Sequence, residues 1–205
     1  MDKNFINNIG ENKKGILKML PSHMWEYLHK PETWWDDVIF ADESKYNVFG
    51  SDGRVIVWRK PNEELQPQNL RPTVKHGNGK VMVWGCMGAT GVGKLVFIDG
   101  IINKESYLNI LCQNLKNSAN KLGILESFKF YQDNDPKHKS RLVQEWLLYN
   151  CPKVLHPPAQ YPDNPIENLW DELDRRIRKH TITSIYELKS TLQEEWHTIP
   201  AAYTA

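Results

Sequence analysis

The chain has 205 residues, a length that suits one ordinary domain or a domain with short appendages. Hydrophobic residues make up 40% and charged residues 25%, a composition typical of a soluble globular protein. The 26 Lys and Arg against 25 Asp and Glu exclude a histone-like polycation and an acidic tail, but not a local basic patch. Because no apolar run approaches about 18 residues and the start lacks a signal-peptide pattern, we expect an intracellular protein.

The three cysteines, Cys86, Cys112 and Cys151, are widely spaced, and no CxxC pair occurs. They support neither a disulfide framework nor a thiolate zinc site.

The first third of the chain predicts a polar tail followed by strands. Residues 1–20 are polar with little periodicity and predict a frayed tail, and 21–36 predict an aromatic lid or short helix. Short β-branched and aromatic runs then predict strands, and a proline-containing loop is expected at 61–79. The predicted strands are 38–44, 46–50, 54–60, 80–88, 94–100, 128–134 and 153–156.

Apolar residues spaced by three and four predict four helices. These run from about Lys104 to Leu122, over 138–149, from Ile166 to Ile177, and from Ile185 to Trp196. Strands followed by alternating helices and strands predict an α/β fold, with helices covering a mixed sheet.

Three acidic residues stand where this fold would place an active site. Asp42 lies near the end of the strand 38–44, Asp133 at the end of the strand 128–134, and Glu167 in the first turn of a helix. In α/β sheets, active sites lie at strand ends and helix starts. These three carboxylates could therefore converge there and hold Mg²⁺ or Mn²⁺. The alternative is that turn preference and the electrostatics of a helix start place three of the 25 acids there.

Four segments occur in one order: FADESKYNVFGSDGRVIVWRKP, VMVWGCMGATGVGKLVFIDG, FYQDNDPKH and PPAQYPDNPIENLWDELDRRIR. From about Trp34 to Trp196, the chain thereby resembles the catalytic domain of Tc/mariner superfamily transposases. The resemblance implies an RNase H-like fold and the DDE acids Asp42 of ADESK, Asp133 of QDNDPKH and Glu167 of NPIENLW.

The resemblance also implies an activity, a cofactor and partners. It implies hydrolysis and strand transfer at transposon ends, with two Mg²⁺ (or Mn²⁺) ions held by the same three acids. The partners would be double-stranded DNA, as transposon ends and target, and further transposase chains, for example in a homodimer. We expect a nuclear location and no membrane association.

The chain departs from the family pattern in three ways. Between Asp133 and Glu167 lie 33 residues, one fewer than the family's usual interval, because PDNPIENLW lacks a Leu before the helix. Residues 1–33 are too short and aperiodic for a helix-turn-helix and predict a remnant tail, so we expect weak, salt-sensitive DNA binding. Residues 34–205 would then be a catalytic domain shortened at its C-terminal end.

The rival hypotheses are an inactive relic adopted as a DNA-binding or interaction module, and a structure-independent nuclease.

The missing residue leaves two possible outcomes for the helix that carries Glu167. Either the loop 157–164 tightens and the helix keeps its register, or the helix rotates by about 100° and Glu167 leaves the site. Because rotation would expose the apolar stripe that begins at Ile166, we expect the register to be kept.

Basic residues supply the prediction of DNA contacts. The candidates are Arg59, Lys60, Arg71, Lys75 and Lys80, with His138 as a further candidate for a phosphate or for the metal site. For His138, a solvent-exposed position at a helix start is an equally good interpretation. A second basic cluster, residues 175–179, suits the C-terminal end of a helix as well as it suits DNA.

Two other motifs have structural interpretations. GATGVGK at 88–94 has the spacing of a phosphate-binding loop, but Leu95 stands where Ser or Thr belongs, so we interpret it as a hairpin turn. Asp135 is the rival second carboxylate, although Asp before Pro is a common turn residue. Asp163 and Asp171 are expected to face solvent beside the helix.

Overall fold

A mixed sheet of five strands lies at the centre of the part of the chain that the structure describes. The structure is a computed structural model, and it describes residues 30–48, 79–156 and 164–204. The strands are β1 (Val38–Asn47), β2 (Lys80–Gly88), β3 (Gly91–Ile98), β4 (Lys129–Tyr131) and β5 (Lys153–Leu155). Their order in the sheet is β3-β2-β1-β4-β5, with β1, β2 and β3 antiparallel and β4 and β5 parallel to β1.

Four α-helices accompany this sheet among the described residues: α1 (Lys104–Lys121), α2 (Arg141–Asn150), α3 (Ile166–Ile177) and α4 (Ile185–Thr198). Short 3₁₀ helices occur at Glu32–Trp34 and Ala201–Tyr203. Side-chain caps fix several helix starts; Asn103 and Ser106 form a capping box before α1, and Ser184 accepts from the backbone of Glu187 before α4. No helix in the described ranges has the length and hydropathy needed to cross a membrane.

The sheet separates two apolar layers. Helices α1 and α2 cover one face and α3 and α4 cover the other. Because side chains alternate along a strand, Val38 and Phe40 of β1 pack toward α3 and α4, whereas Ile39 and Ala41 pack toward α1 and α2. The alternation places Asp42 on the α3 side and its neighbour Glu43 on the α1 side.

The predicted helices are confirmed, with one corrected start. Helix α2 begins at Arg141 rather than at residue 138, because the Ser140 side chain caps it by accepting from the Val143 N–H at 3.4 Å. GATGVGK forms the predicted hairpin turn, with a tight turn at 89–90 between β2 and β3.

The predicted strands at 38–44 and 46–50 are corrected to the single strand β1. The ladder between β1 and β2 runs without a break from Phe40 opposite Met87 to Asn47 opposite Lys80. Asp42 is therefore the fifth residue of a ten-residue strand and does not end it. The predicted strand 54–60 and the tail 1–29 lie outside the described residues, as does the loop at 61–79 up to residue 78.

Candidate active site

Asp42 and Asp133 come from neighbouring parallel strands at the same level of the sheet. The pairing of β1 with β4 ends at Phe40 opposite Tyr131, and each acid follows two residues later on its own segment. The strand that carries Asp42 therefore lies beside β4. The prediction that Asp133 ends a strand is wrong, because β4 stops at Tyr131 and Asp133 lies in the loop that follows.

The Asp42 carboxylate is partly buried against α3. Its Oδ2 accepts a hydrogen bond from Nε1 of Trp170 at 3.2 Å. Burial raises the pKa of Asp42 to about 7 despite this hydrogen bond and one from the Glu43 backbone, and the negative charges of Glu167 and Glu43 add to the increase. Asp42 is thus an acid whose charged form lacks a neutralising partner among the described groups.

Gly85 makes room for the Trp170 ring beside Asp42. It lies directly opposite Asp42 in the β1–β2 pairing, and a Cβ atom there would stand 2.5 Å from Cη2 of Trp170. The same indole stacks on Trp196 with ring centroids 5.2 Å apart. Because Gly85 of β2 has no side chain, Trp170 of α3 can reach Asp42 of β1.

The Asp133 carboxylate is held at the start of the loop after β4. Its Oδ1 accepts from Nδ1 of His138 at 2.5 Å and from the backbone N–H of Asp135 at 3.1 Å. The hydrogen bond from His138 is the main reason why the pKa of Asp133 lies below its ordinary value. Asp135 accepts from the backbone of Lys137 at 2.8 Å, and this bond is what the turn-residue interpretation predicted.

His138 is a buried residue of this loop, so the alternative interpretation of a solvent-exposed position at a helix start is wrong. It is 1% exposed, and its ring lies against Tyr107 with centroids 4.0 Å apart. Nδ1 contacts Asp133 and Nε2 contacts Glu43 at 3.2 Å, which leaves neither ring nitrogen for a DNA phosphate in this structure. Burial favours the neutral ring, but the bonds to Asp133 and Glu43 outweigh it and raise the pKa of His138 to about 9.

Glu167 lies in the first turn of α3 with its side chain exposed. The apolar stripe of α3 is buried, so the helix keeps the predicted register; its residues are Ile166, Leu169, Trp170, Leu173 and Ile177. The loop expected to take up the missing residue lies outside the described residues from 157 to 163, and Asn164, which ends it, is buried with its side chain donating to Ala41 O at 3.1 Å.

Glu167 is linked electrostatically to both aspartates. Partial desolvation at the start of α3 raises the pKa of Glu167 although much of its side chain is exposed, and the charges of Asp171 and Asp133 raise it further. The charge of Glu167 in turn raises the pKa of Asp42. Within the described residues, however, no three His, Cys, Asp or Glu side chains are grouped closely enough to hold a metal ion. The oxygen donors of the three predicted acids suit a hard divalent cation in chemistry and charge.

Only one of the five Lys and Arg residues predicted to contact DNA lies in the part of the chain that the structure describes. Arg59, Lys60, Arg71 and Lys75 lie outside the described residues, and Lys80 is an exposed residue that begins β2. In the second basic cluster, Arg175 and Arg176 both contact Glu172, and Arg178 contacts Asp174 at 2.6 Å. These contacts favour the structural interpretation of that cluster. Asp171 is exposed as expected, and Asp163 is outside the described residues.

Comparison with known proteins finds close relatives among nematode transposases. The transposable element Tcb1 transposase of Caenorhabditis briggsae is 40% identical over 167 residues, which cover 81% of this chain and 61% of the relative. The transposable element Tc1 transposase of Caenorhabditis elegans is 41% identical over 167 residues, with the same two coverages of 81% and 61%. The chain thus spans about 61% of the length of these curated relatives. No family model matches the chain.

Solved structures of the Mos1 transposase share the fold. A Mos1 paired-end complex with the left transposon end aligns with a TM-score of 0.68 at 19% identity, covering 89% of this chain and 54% of that one. The Mos1 catalytic domain with Raltegravir and Mg aligns with a TM-score of 0.63 at 17% identity, covering 100% of this chain and 88% of that one. The expected RNase H-like α/β fold, a mixed sheet flanked by helices, is confirmed.

Proposed function

Because the chain belongs to the Tc/mariner superfamily of transposases, we propose that it is the catalytic unit of a DNA transposase. The reaction would be metal-dependent cleavage of phosphodiesters at transposon ends, followed by strand transfer into target DNA. The observation that carries the proposal is the register of β1 and β4, which brings Asp42 and Asp133 to the same level of neighbouring strands, while Glu167 lies in the first turn of the helix whose Trp170 contacts Asp42. Neighbouring carboxylates repel one another, and a divalent cation would neutralise them.

Asp42, Asp133 and Glu167 would hold Mg²⁺ or Mn²⁺, as a pair of ions. When bound, such a pair of ions would activate a water or a 3′-hydroxyl and stabilise the leaving oxygen. The raised pKa of Asp42 supports this assignment, since a cation would stabilise the charged carboxylate that burial disfavours. The Mos1 catalytic domain, similar in fold, is described with Mg.

The three acids would play unequal parts in assembling the site. Asp42 and Asp133 are already oriented by hydrogen bonds from Trp170 and His138, whereas Glu167 is exposed in the first turn of α3. Glu167 would therefore be the ligand with the most freedom to turn toward a cation, whereas Trp170 and His138 would fix the direction of the two aspartates.

Double-stranded DNA would be the substrate, as transposon end and as target, and the reaction would take place in the nucleus. A Mos1 structure is described as a paired-end complex with a transposon end, and by analogy further copies of this chain would be partners. The basic residues 59–80 would contact phosphates, which position DNA without reading its sequence.

The test is nicking of transposon-end DNA by the purified chain in Mg²⁺ or Mn²⁺. We expect Asp42→Asn, Asp133→Asn and Glu167→Gln each to abolish nicking while the protein remains folded. Glu126→Gln, a charge change at an exposed position between α1 and β4, should leave nicking intact. Nicking that persists in Asp133→Asn would contradict the proposal, and DNA binding without any nicking would favour the relic.

A further inference from the structure

Glu43 is a carboxylate that sequence reasoning did not single out as a site residue. It follows Asp42 on β1 and points to the opposite face, where it pairs in register with the buried Trp84 of β2. Its side chain is only 11% exposed. A carboxylate that is largely withdrawn from water requires partners, and those partners identify its role.

Both Glu43 oxygens bind the loop that carries Asp133. Oε1 contacts Nε2 of His138 at 3.2 Å, and Oε2 contacts Nζ of Lys137 at 3.3 Å. Since the other nitrogen of His138 contacts Asp133, a continuous array runs from Glu43 on β1 through His138 to Asp133. The loop after β4 is thereby fixed to the strand that supplies the first candidate acid.

The array leaves the His138 ring little freedom to turn. Tyr107 of α1 packs against one face of the ring, and Gln144 of α2 donates to the His138 carbonyl at 2.8 Å. The Asp133 side chain itself is about half exposed, at 51%, so little packing holds it directly. Its direction therefore depends on its hydrogen bonds from His138 and from the Asp135 N–H, and Glu43 is the carboxylate that holds the far side of the His138 ring.

We propose that Glu43 is a positioning residue, which acts through His138 to orient the Asp133 carboxylate for metal binding. The inference rests on the proposed function, because it takes Asp133 as a metal ligand. Residues that orient a ligating group in this way typically contribute about 10–100-fold to metal affinity or activity.

The experiment measures Mn²⁺ binding to the DNA-free chain by electron paramagnetic resonance, alongside nicking as a function of Mn²⁺ concentration and thermal unfolding. We expect Glu43→Ala to weaken Mn²⁺ binding by about 10–100-fold. Glu43→Gln should weaken it by a smaller factor, because the amide oxygen can still accept from His138, and nicking should recover at saturating Mn²⁺. Glu145→Gln makes the same chemical change on the exposed face of α2 and should leave Mn²⁺ binding at the wild-type level.

The outcomes separate this inference from the proposed function. If Asp133→Asn loses Mn²⁺ binding but Glu43→Ala binds as wild type does, the role of Glu43 is refuted and the function stands. If Asp133→Asn also binds as wild type, the proposed function fails first. If Glu43→Ala does not fold, Glu43→Gln decides, and a Mn²⁺ affinity within about twofold of wild type overturns the role of Glu43. A lowered melting temperature with unchanged Mn²⁺ affinity would show a purely structural role and would also overturn it.

Discussion

Replacing Gly85 by Ala tests whether packing on β2 sets the position of Asp42. The added Cβ would stand 2.5 Å from Cη2 of Trp170 and 3.0 Å from Cη2 of Trp196, inside van der Waals contact in both cases. The two rings are stacked and buried, so neither can yield without disturbing the other. We expect Trp170 to shift away from β2 and its 3.2 Å hydrogen bond to Asp42 to lengthen or break.

The structure sets the size of the effect. Overpacking of a core costs about 1–3 kcal/mol, and in a chain of this length each kcal/mol lowers the melting temperature by about 2–4 °C. The melting temperature of Gly85→Ala should therefore fall by about 2–12 °C. Loss of a hydrogen bond to a charged group costs about 1.5–3 kcal/mol, so nicking should fall by about tenfold or more even where the variant is fully folded.

The assay is thermal unfolding together with Mg²⁺-dependent nicking at a temperature well below both transitions. Gly88→Ala is the matched control, since it makes the same change in the same strand, where the added Cβ would stand 3.3 Å from Cδ1 of Leu122 and 3.3 Å from the Val38 carbonyl oxygen, a milder contact than the 2.5 Å at Gly85. The control should lose less stability than Gly85→Ala and keep its nicking rate. An unchanged melting temperature for Gly85→Ala would refute the packing argument, and a lowered one with wild-type nicking would show that Trp170 does not serve Asp42.

Three further perturbations have defined outcomes. The pKa of Asp42 rises from 3.8 to about 7 on folding, so the metal-free chain should lose stability as pH rises between these values, and Asp42→Asn should flatten that part of a thermal-unfolding profile. Inserting a Leu directly before Asn164 should raise Mg²⁺-dependent nicking with little change in melting temperature; no gain, with an inactive parent, would favour the relic. Arg176→Ala removes a 2.7 Å contact to the buried Glu172 and should cost about 1–3 kcal/mol in a denaturant titration. Arg178→Ala, which breaks an exposed pair, should cost less than about 1 kcal/mol, and equal losses would contradict the burial argument.

The helices and their buried faces were predictable because a helical period is a local property. In α3, the apolar spacing identified the stripe that begins at Ile166, and the stripe is buried in the predicted register. The burial of that stripe fixes the angular position of Glu167, so this part of the site also follows from the sequence. The place of Asp42 within β1 did not follow, because the length of β1 is set by its pairing with β2, a segment more than 30 residues away.

The surroundings of the acids were less predictable because they depend on contacts between distant segments. His138 and Glu43 are 95 residues apart, and neither residue type at its position predicts the contact. The alternation of β1 did place Glu43 on the face opposite Asp42, which was the available signal. The alternation along β1 could not predict the geometry of the loop after β4, which brings His138 against Glu43.

The two layers around the sheet also differ in when their parts are synthesised. The layer with α1 and α2 is built from residues between 39 and 154, whereas the other face also needs residues 166 to 199, which are made later. Because chains are made from the N-terminus, the sheet can form with Val38, Phe40 and Val83 still uncovered on its second face. Docking of α3 and α4 would then follow formation of the sheet, and the burial of Trp170 and Trp196 would report it in fluorescence during refolding. The same step would bring Glu167 to the face of the sheet that holds Asp42, so a chain interrupted before α3 would carry the two aspartates without it.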